Sequence, residues 1–335
     1  MIARLFVLLA ALALWPATAC AQEKSAARDE VAETLSAIVR VKSKALPNAR
    51  SSATLGAQRE GSGVLVRDGY VATIGYLVIE SEAIEVTGAD GKSVPASLAA
   101  YDHASGFGLL KLLAPLAGKP LPLGDSSAIA ARAPALVASY GGGDNVSLVN
   151  VVSRRPFSGS WEYLLDSAIY TYPPVMNWSG ASLIGSRGEL LGLGSLIVAD
   201  STGSTAGGGT QSPGNLFVPA DLLKPILEDM IVRGKAGGPV RPWLGVNTEE
   251  MRGRLFVTRV SPDGPADKAG LKSGDIVIGV GADEVATLAD FYRKVWARGA
   301  AGVEVPLRVL QGMQVKEVSV RSIDRVEYFR ARPSY

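Results

Sequence analysis

Cysteine and histidine are almost missing from this chain of 335 residues, which has one of each, Cys20 and His103. One cysteine excludes an internal disulfide framework, and one histidine beside one cysteine offers no ligand cluster for zinc, so neither a metal nor another cofactor is expected. An excess of one charge is lacking too. The 34 Lys and Arg against 32 Asp and Glu leave a formal net charge of +2, and no basic run is interleaved with aromatic residues, so no nucleic-acid partner is indicated. A run long enough for a membrane helix is also missing, since the apolar stretch Leu5 to Trp15 is too short to span a bilayer. What is present is core-forming material: with 47% hydrophobic residues the chain can build two domains.

The first residues combine Arg4, the apolar stretch and a small-residue segment ending at Ala21, which together read as a secretory signal over 1–21. Cleavage after Ala21 uses Ala19 and Ala21 as the small residues, removes Cys20 and leaves Gln22 first. The alternative is cleavage before Cys20, which makes that residue a lipid-carrying N-terminus, although Ala17 is a poor match to the leucine usual three residues before a lipidated cysteine. Either way the exported chain has no thiol chemistry.

Residues 22–60 read as an N-terminal segment: helix-compatible from Ala26 to Ser36, a strand at Ala37–Val41, then a long polar loop from Ser43 to Glu60. From Gly61 onward short β-branched runs are broken by Gly, Asp and Pro. They are Gly63–Val66, Tyr70–Thr73, Ala83–Val86, Leu109–Leu112, Ala135–Ala138 and Val146–Val152, a pattern of an all-β barrel or sandwich. The stretch Ser201–Gly214, rich in Gly, Ser and Thr, reads as a mobile surface loop or a solvated connector. Leu222, Leu223, Ile226, Leu227 and Met230 fall at helical spacing, which predicts an amphipathic helix over Ala220–Arg233 with Asp221 near its start. Gly234–Pro239 reads as a linker. A second unit then runs from Arg241, with strands at Leu255–Val260, Val303–Val309 and Val315–Val320 and a helix at Leu288–Trp296, which makes a small β-rich module with one prominent helix.

The stretch Asn177–Leu183 is the strongest chemical candidate. Ser179 sits between residues that permit a tight bend, with the apolar run Gly188–Leu193 close behind, which is one way to present a hydroxyl beside backbone N–H donors. An ordinary Ser-Gly loop fits the same residues.

Several landmarks in order decide between these. Gly61-Ser62-Gly63-Val64-Leu65-Val66 with Asp68-Gly69-Tyr70-Val71, Leu121-Pro122-Leu123-Gly124-Asp125-Ser126, Gly188-Glu189-Leu190-Leu191-Gly192 and Trp243-Leu244-Gly245-Val246 resemble the HtrA/Deg serine proteases. So do Gly264-Pro265-Ala266, Ala269-Gly270-Leu271 and Gly274-Asp275 in the second unit. The resemblance covers about residues 31–325 and implies a mainly β fold, a trypsin-like double β-barrel over 61–235 followed by a small α+β PDZ domain over 241–325. It sets Ser179 at the nucleophile position, with Asn177 and Ser179 at the oxyanion-hole position.

The same resemblance sets Tyr76 where the family keeps its histidine and Gly106 where it keeps its aspartate. A phenol is a poor base at neutral pH and glycine has no carboxylate, so base and orienter are both gone. Thr171 replaces a further aspartate, and Asn177 and Trp178 replace Gly-Asn before the serine. In a related kind of serine protease, losing the histidine alone costs on the order of a millionfold in turnover. Rescue by His103, read as a surface-loop imidazole, or by Lys111, read as a strand residue, is not favoured.

In this family the PDZ domain takes a peptide C-terminus as an added strand and holds its carboxylate with backbone N–H groups. The corresponding loop is Trp243, Leu244, Gly245 and Val246, and Leu288, Phe291 and Val295 line a pocket for the last side chain or simply form core. The expectation is an exported, periplasmic pseudoprotease that binds peptide or protein C-termini or unfolded exported proteins. It would act alone, as a trimer, or in assembly with active relatives. The alternative is a serine endopeptidase of protein quality control that uses Ser179 with a non-standard base.

Overall fold

The computed structural model describes residues 31–203 and 211–329. The expected export signal, Cys20 and the middle of the Gly-rich stretch, 204–210, lie outside the described residues. Strands dominate what is described. β1 (Ile38–Ala45), β2 (Gln58–Arg67), β3 (Tyr70–Ile74), β4 (Ser81–Thr87), β5 (Ser93–Tyr101) and β6 (Phe107–Leu112) form a closed barrel in the order β1-β2-β3-β6-β5-β4. β7 (Pro134–Ala138), β8 (Val146–Gly159), β9 (Tyr163–Tyr172), β10 (Ser182–Ile184), β11 (Leu190–Val198) and β12 (Gly214–Pro219) form a second, ordered β10-β11-β12-β9-β8-β7. Closure leaves neither sheet with a free edge, because β1 bonds both β2 and β4 and β10 bonds both β7 and β11. One apolar cluster runs from Val41, Val71 and Phe107 in the first barrel to Tyr170, Leu193 and Val218 in the second, which seats the barrels against each other.

The long loop expected at Ser43–Glu60 is a correction. β1 continues to Ala45 and β2 starts at Gln58, so only residues 46–57 connect them, with one turn of helix, α1 (Ser52–Leu55). The polar composition misled because half of it faces water and half is satisfied inside. Lys42 pairs with Glu60 on the outside, whereas buried Arg59 donates to the carbonyls of Gly56, Tyr76 and Ile79 and to the Ser51 hydroxyl. The barrel therefore begins at Ile38, upstream of the boundary expected at Gly61.

The helix expected over Ala220–Arg233 is also broken. Residues Ala220–Leu222 form a 3-10 turn and α2 spans only Leu227–Arg233, with Pro225 between them, which lacks the N–H a continuous helix needs there. Its apolar spacing still works, since Leu223, Leu227 and Met230 are buried.

The second unit is a sheet of β13 (Val246–Met251), β14 (Arg254–Val260), β15 (Ile276–Val280), β17 (Glu304–Gln311) and β18 (Gln314–Arg321), with the short β16 (Asp283–Glu284) on β15. α3 (Pro265–Lys268) follows β14 and α4 (Leu288–Trp296) packs on the sheet. The Thr287 side chain caps α4 by accepting from the Asp290 N–H, and Leu288, Phe291, Tyr292 and Val295 face inward at helical spacing. α5 (Arg325–Phe329) closes the described chain. Together these elements give the mainly β architecture expected, two barrels followed by a small α+β module.

Candidate functional site

Ser179 sits in a turn clamped from both sides. Its carbonyl accepts from the Ser62 N–H at 2.8 Å, and the Gly180 N–H donates to the Gly194 carbonyl at 2.9 Å. Gly180 has φ +70°, and a Cβ there would lie 1.9 Å from the Ser62 carbonyl oxygen, so only glycine allows this approach. The turn is thus pinned between β2 and β11. Among the described residues neither the Asn177 nor the Ser179 N–H has a hydrogen-bond acceptor, while the Asn177 side-chain amide donates to Asn145 and the Asn177 backbone carbonyl accepts from the Ser139 hydroxyl.

Tyr76 follows β3 in a single 3-10 turn, Gly75–Leu77. Its Oη lies 2.9 Å from Ser179 Oγ and 3.0 Å from the Ser195 carbonyl oxygen. In both contacts the phenol is placed as the donor, its one proton shared between the Ser179 hydroxyl oxygen and the Ser195 carbonyl, so neither contact takes the serine proton. Burial pushes the Tyr76 phenol up to about 12, and hydrogen bonds with Ser179 and Trp178 offset that only in part. At pH 7 on the order of one phenol in 10⁵ is then ionised, so the group beside the serine works as a fixed dipole rather than as a base.

Gly106 contributes no side chain, and its backbone is in the left-handed region at φ +83°. Its carbonyl accepts from Gly75, which fixes the turn that carries Tyr76, and a Cβ on it would meet Tyr163 Oη at 3.0 Å. His103, expected as a surface-loop imidazole, is part-buried instead. Tyr101 and Arg325 bond its ring, and its Nε2 lies 3.3 Å from the Glu162 carbonyl; burial and the Arg325 charge hold its pKa well below the usual value. It is therefore neutral and committed elsewhere. Lys111 is exposed on β6, and Thr171 is buried with an unpartnered hydroxyl. Ser179, Tyr76 and Trp178 open on a cavity of about 990 Å³ whose far wall is made by the second unit, including Trp243, Arg259 and Tyr328.

The loop of the second unit is built as a carboxylate site. The N–H groups of Leu244, Gly245 and Val246 converge, with Gly245 at φ +85° to allow the bend. A carboxylate is already there. Glu162 Oε2 accepts from Leu244 at 2.8 Å, and Oε1 accepts from Gly245 at 2.7 Å and Val246 at 2.9 Å. The loop expected to take a peptide carboxylate is thus filled from within the chain, and Glu162, at the tip of the β8–β9 hairpin, is a functional candidate that sequence reasoning missed. Phe291 and Val295, which the sequence allows as pocket lining or core, are fully buried, and Leu288 nearly so. Leu164 from β9 shares their apolar cluster.

Comparisons with known proteins point one way. The family model of the trypsin-like peptidase domain matches residues 61–193, and that of the PDZ domain matches residues 242–321. A Haemophilus influenzae protein described as a probable periplasmic serine protease do/HhoA-like is 30% identical over 274 residues, 78% of this chain and 57% of that protein. A Brucella suis protein described as a probable periplasmic serine endoprotease DegP-like is 29% identical over 279 residues, 78% of this chain and 52% of that protein. The chain thus spans little more than half the length of these relatives. Among solved structures, an HtrA-type protease AlgW with decapeptide superposes with TM-score 0.54 at 20% identity, covering 91% of this chain and 98% of that one. A serine endoprotease from Yersinia pestis gives 0.51 at 21%, covering 89% and 97%. At such identity the likeness is one of fold.

Proposed function

The chain belongs to the HtrA family, a trypsin-like peptidase domain joined to a PDZ domain, and from that premise we propose that it is a pseudoprotease. In this reading Ser179 occupies the nucleophile position, Tyr76 the histidine position and Gly106 the aspartate position. The observation that carries it is the pairing of Tyr76 Oη with Ser179 Oγ at 2.9 Å. A serine becomes a nucleophile when a base takes its proton, and here the adjoining group is a phenol raised to about 12. The PDZ domain then carries the function by binding peptide or protein C-termini of exported proteins. The periplasm is the compartment that the names of the relatives suggest, and a homo-oligomer or an assembly with active relatives is the setting in which an inactive member would work.

The second reading keeps a serine endopeptidase with a non-standard base, and the relatives' names suit it equally. In its favour are the free N–H groups of Asn177 and Ser179, the donors an acyl oxyanion would use. Labelling the purified protein with a fluorophosphonate probe beside an unfolded-casein digest separates the two, with Ser179→Ala and an active relative as controls. No labelling and no cleavage are expected from the folded protein. Turnover that disappears in Ser179→Ala would replace the pseudoprotease with the enzyme.

A further inference from the structure

A PDZ groove has three parts: the edge of one strand, the helix facing it, and the carboxylate loop between them. Here the strand is β13, an edge strand bonded only to β14 within its sheet; the helix is α4; and the loop is Trp243–Val246. The β8–β9 hairpin of the second barrel fills all three. At the strand edge, the Thr248 N–H donates to the Ser160 carbonyl at 2.9 Å, as it would to an added strand. On the helix side, Tyr292 Oη donates to the Gly159 carbonyl at 2.7 Å and lies 3.3 Å from the Glu162 nitrogen. Arg293 pairs with Asp166 at 2.5 Å further along α4. In the loop, both carboxylate oxygens of Glu162 are bonded, by three N–H donors in all.

The hairpin also carries a mark of having been shaped for this contact. Gly159 pairs with Tyr163, so Ser160, Trp161 and Glu162 form a three-residue connection, and such connections commonly end on a residue in the left-handed region, where glycine is preferred. Glu162 occupies that place at φ 59°. A longer L-residue is strained there, and what it gains is the carboxylate contact. The hairpin thus gives up an easier turn for a group that only the PDZ loop uses.

We infer that the β8–β9 hairpin is the resident ligand of the PDZ groove, with the Glu162 side-chain carboxylate in the place of a peptide's C-terminal carboxylate, so that peptides bind only when the hairpin withdraws. The inference rests on the reading of the second unit as a C-terminus binder. It converts that unit from an open receptor into one in competition with its own chain. A tethered competitor acts at an effective concentration in the millimolar range, and apparent affinity falls by the fraction of molecules with the groove open.

The test uses the full chain with Glu162→Gln, which keeps the side-chain size, and Glu162→Gly, which suits the left-handed backbone and guards against misfolding. Hydrogen exchange at residues 244–248 reads the docking directly. Anisotropy with a fluorescent pool of random heptapeptides ending in a free Val, Leu or Phe carboxylate, against the same pool amidated, reads the competition. Glu162→Gly is expected to exchange at least tenfold faster at 244–248 with the amides of β17 and β18 unchanged, and to bind the free-carboxylate pool roughly 30-fold more tightly than wild type. Glu162→Gln, which keeps one acceptor oxygen and turns the other into a donor facing the Leu244 N–H, is expected between the two. Equal protection in wild type and both variants, or equal affinity for the pool, overturns the inference. Faster exchange with no binding of either pool upholds the docked hairpin and overturns the C-terminus reading instead.

Discussion

A hydroxyl is only as reactive as the group that shares its proton. For Ser179 the neighbouring group is a phenol which also reaches the Ser195 carbonyl, and in the pseudoprotease reading proposed above changing Tyr76 alone would not make a triad, because that reading puts the orienting carboxylate at position 106. That position resists it. Gly106 holds φ +83° and its missing Cβ faces Tyr163 Oη at 3.0 Å. Gly106→Asp is expected to destabilise the protein by about 1–2 kcal/mol, the usual penalty of an L-residue in left-handed backbone, read as a lower midpoint in urea at unchanged slope. A variant as stable as wild type would mean that the turn can adopt another backbone path. At this scale Ser179, Tyr76 and Gly106 could be singled out from the sequence because flanking landmarks number them. Glu162 could not, because a lone acid beside Ser160 and Trp161 reads as a solvated turn until the hairpin is seen to end in another domain.

Among elements, the β8–β9 hairpin has the most to do. β8 is the longest strand, 14 residues, and bulges between Val151 and Ser153 and between Arg155 and Phe157 bend it as it leaves the barrel. Burial raises the Glu162 carboxyl from 4.5 to about 7, against the N–H groups of Leu244, Val246 and Gly245 and the positive charge of Arg325 on α5, which pull it down. The other groups facing it are the Tyr292 phenol on α4 and the neutral His103 ring. A withdrawn hairpin returns Glu162 to water, so between about pH 4.5 and pH 7 the docked form holds a proton that the withdrawn form has released. Docking is therefore strongest on the acid side and weakens about tenfold per pH unit as pH rises through that window, then levels off. Exchange at residues 244–248, corrected for its intrinsic pH dependence, should follow that course in wild type and stay flat in Glu162→Gln; a flat wild-type profile would place the carboxylate's titration outside docking. Of this hairpin only Val146–Val152, the first half of β8, is legible as a β-branched run; the rest of β8, with Arg154, Arg155 and Pro156, and the whole of β9 are not. The helix at Ala220–Arg233 was misread because apolar spacing outweighed Pro225, and the strand ends at Ala45 and Gln58 were hidden by polar side chains whose partners lie far along the chain.

For the molecule as a whole, the order of domains was readable from short landmarks, whereas their mutual placement was not, since nothing local encodes which surface meets which. That placement also leaves an apolar side chain on the far side of the boundary. Leu164 belongs by sequence to the second barrel, yet it is 4% exposed and packed in one cluster with Leu244, Phe291 and Val295 of the PDZ domain. A core that borrows a residue from its neighbour cannot melt alone without uncovering that residue, so the heat absorbed by the two domains is expected in a single calorimetric peak. In Glu162→Gly, where the hairpin is freed, the peak should divide in two, and a wild type that already melts in two steps would show that Leu164 contributes packing without cooperativity.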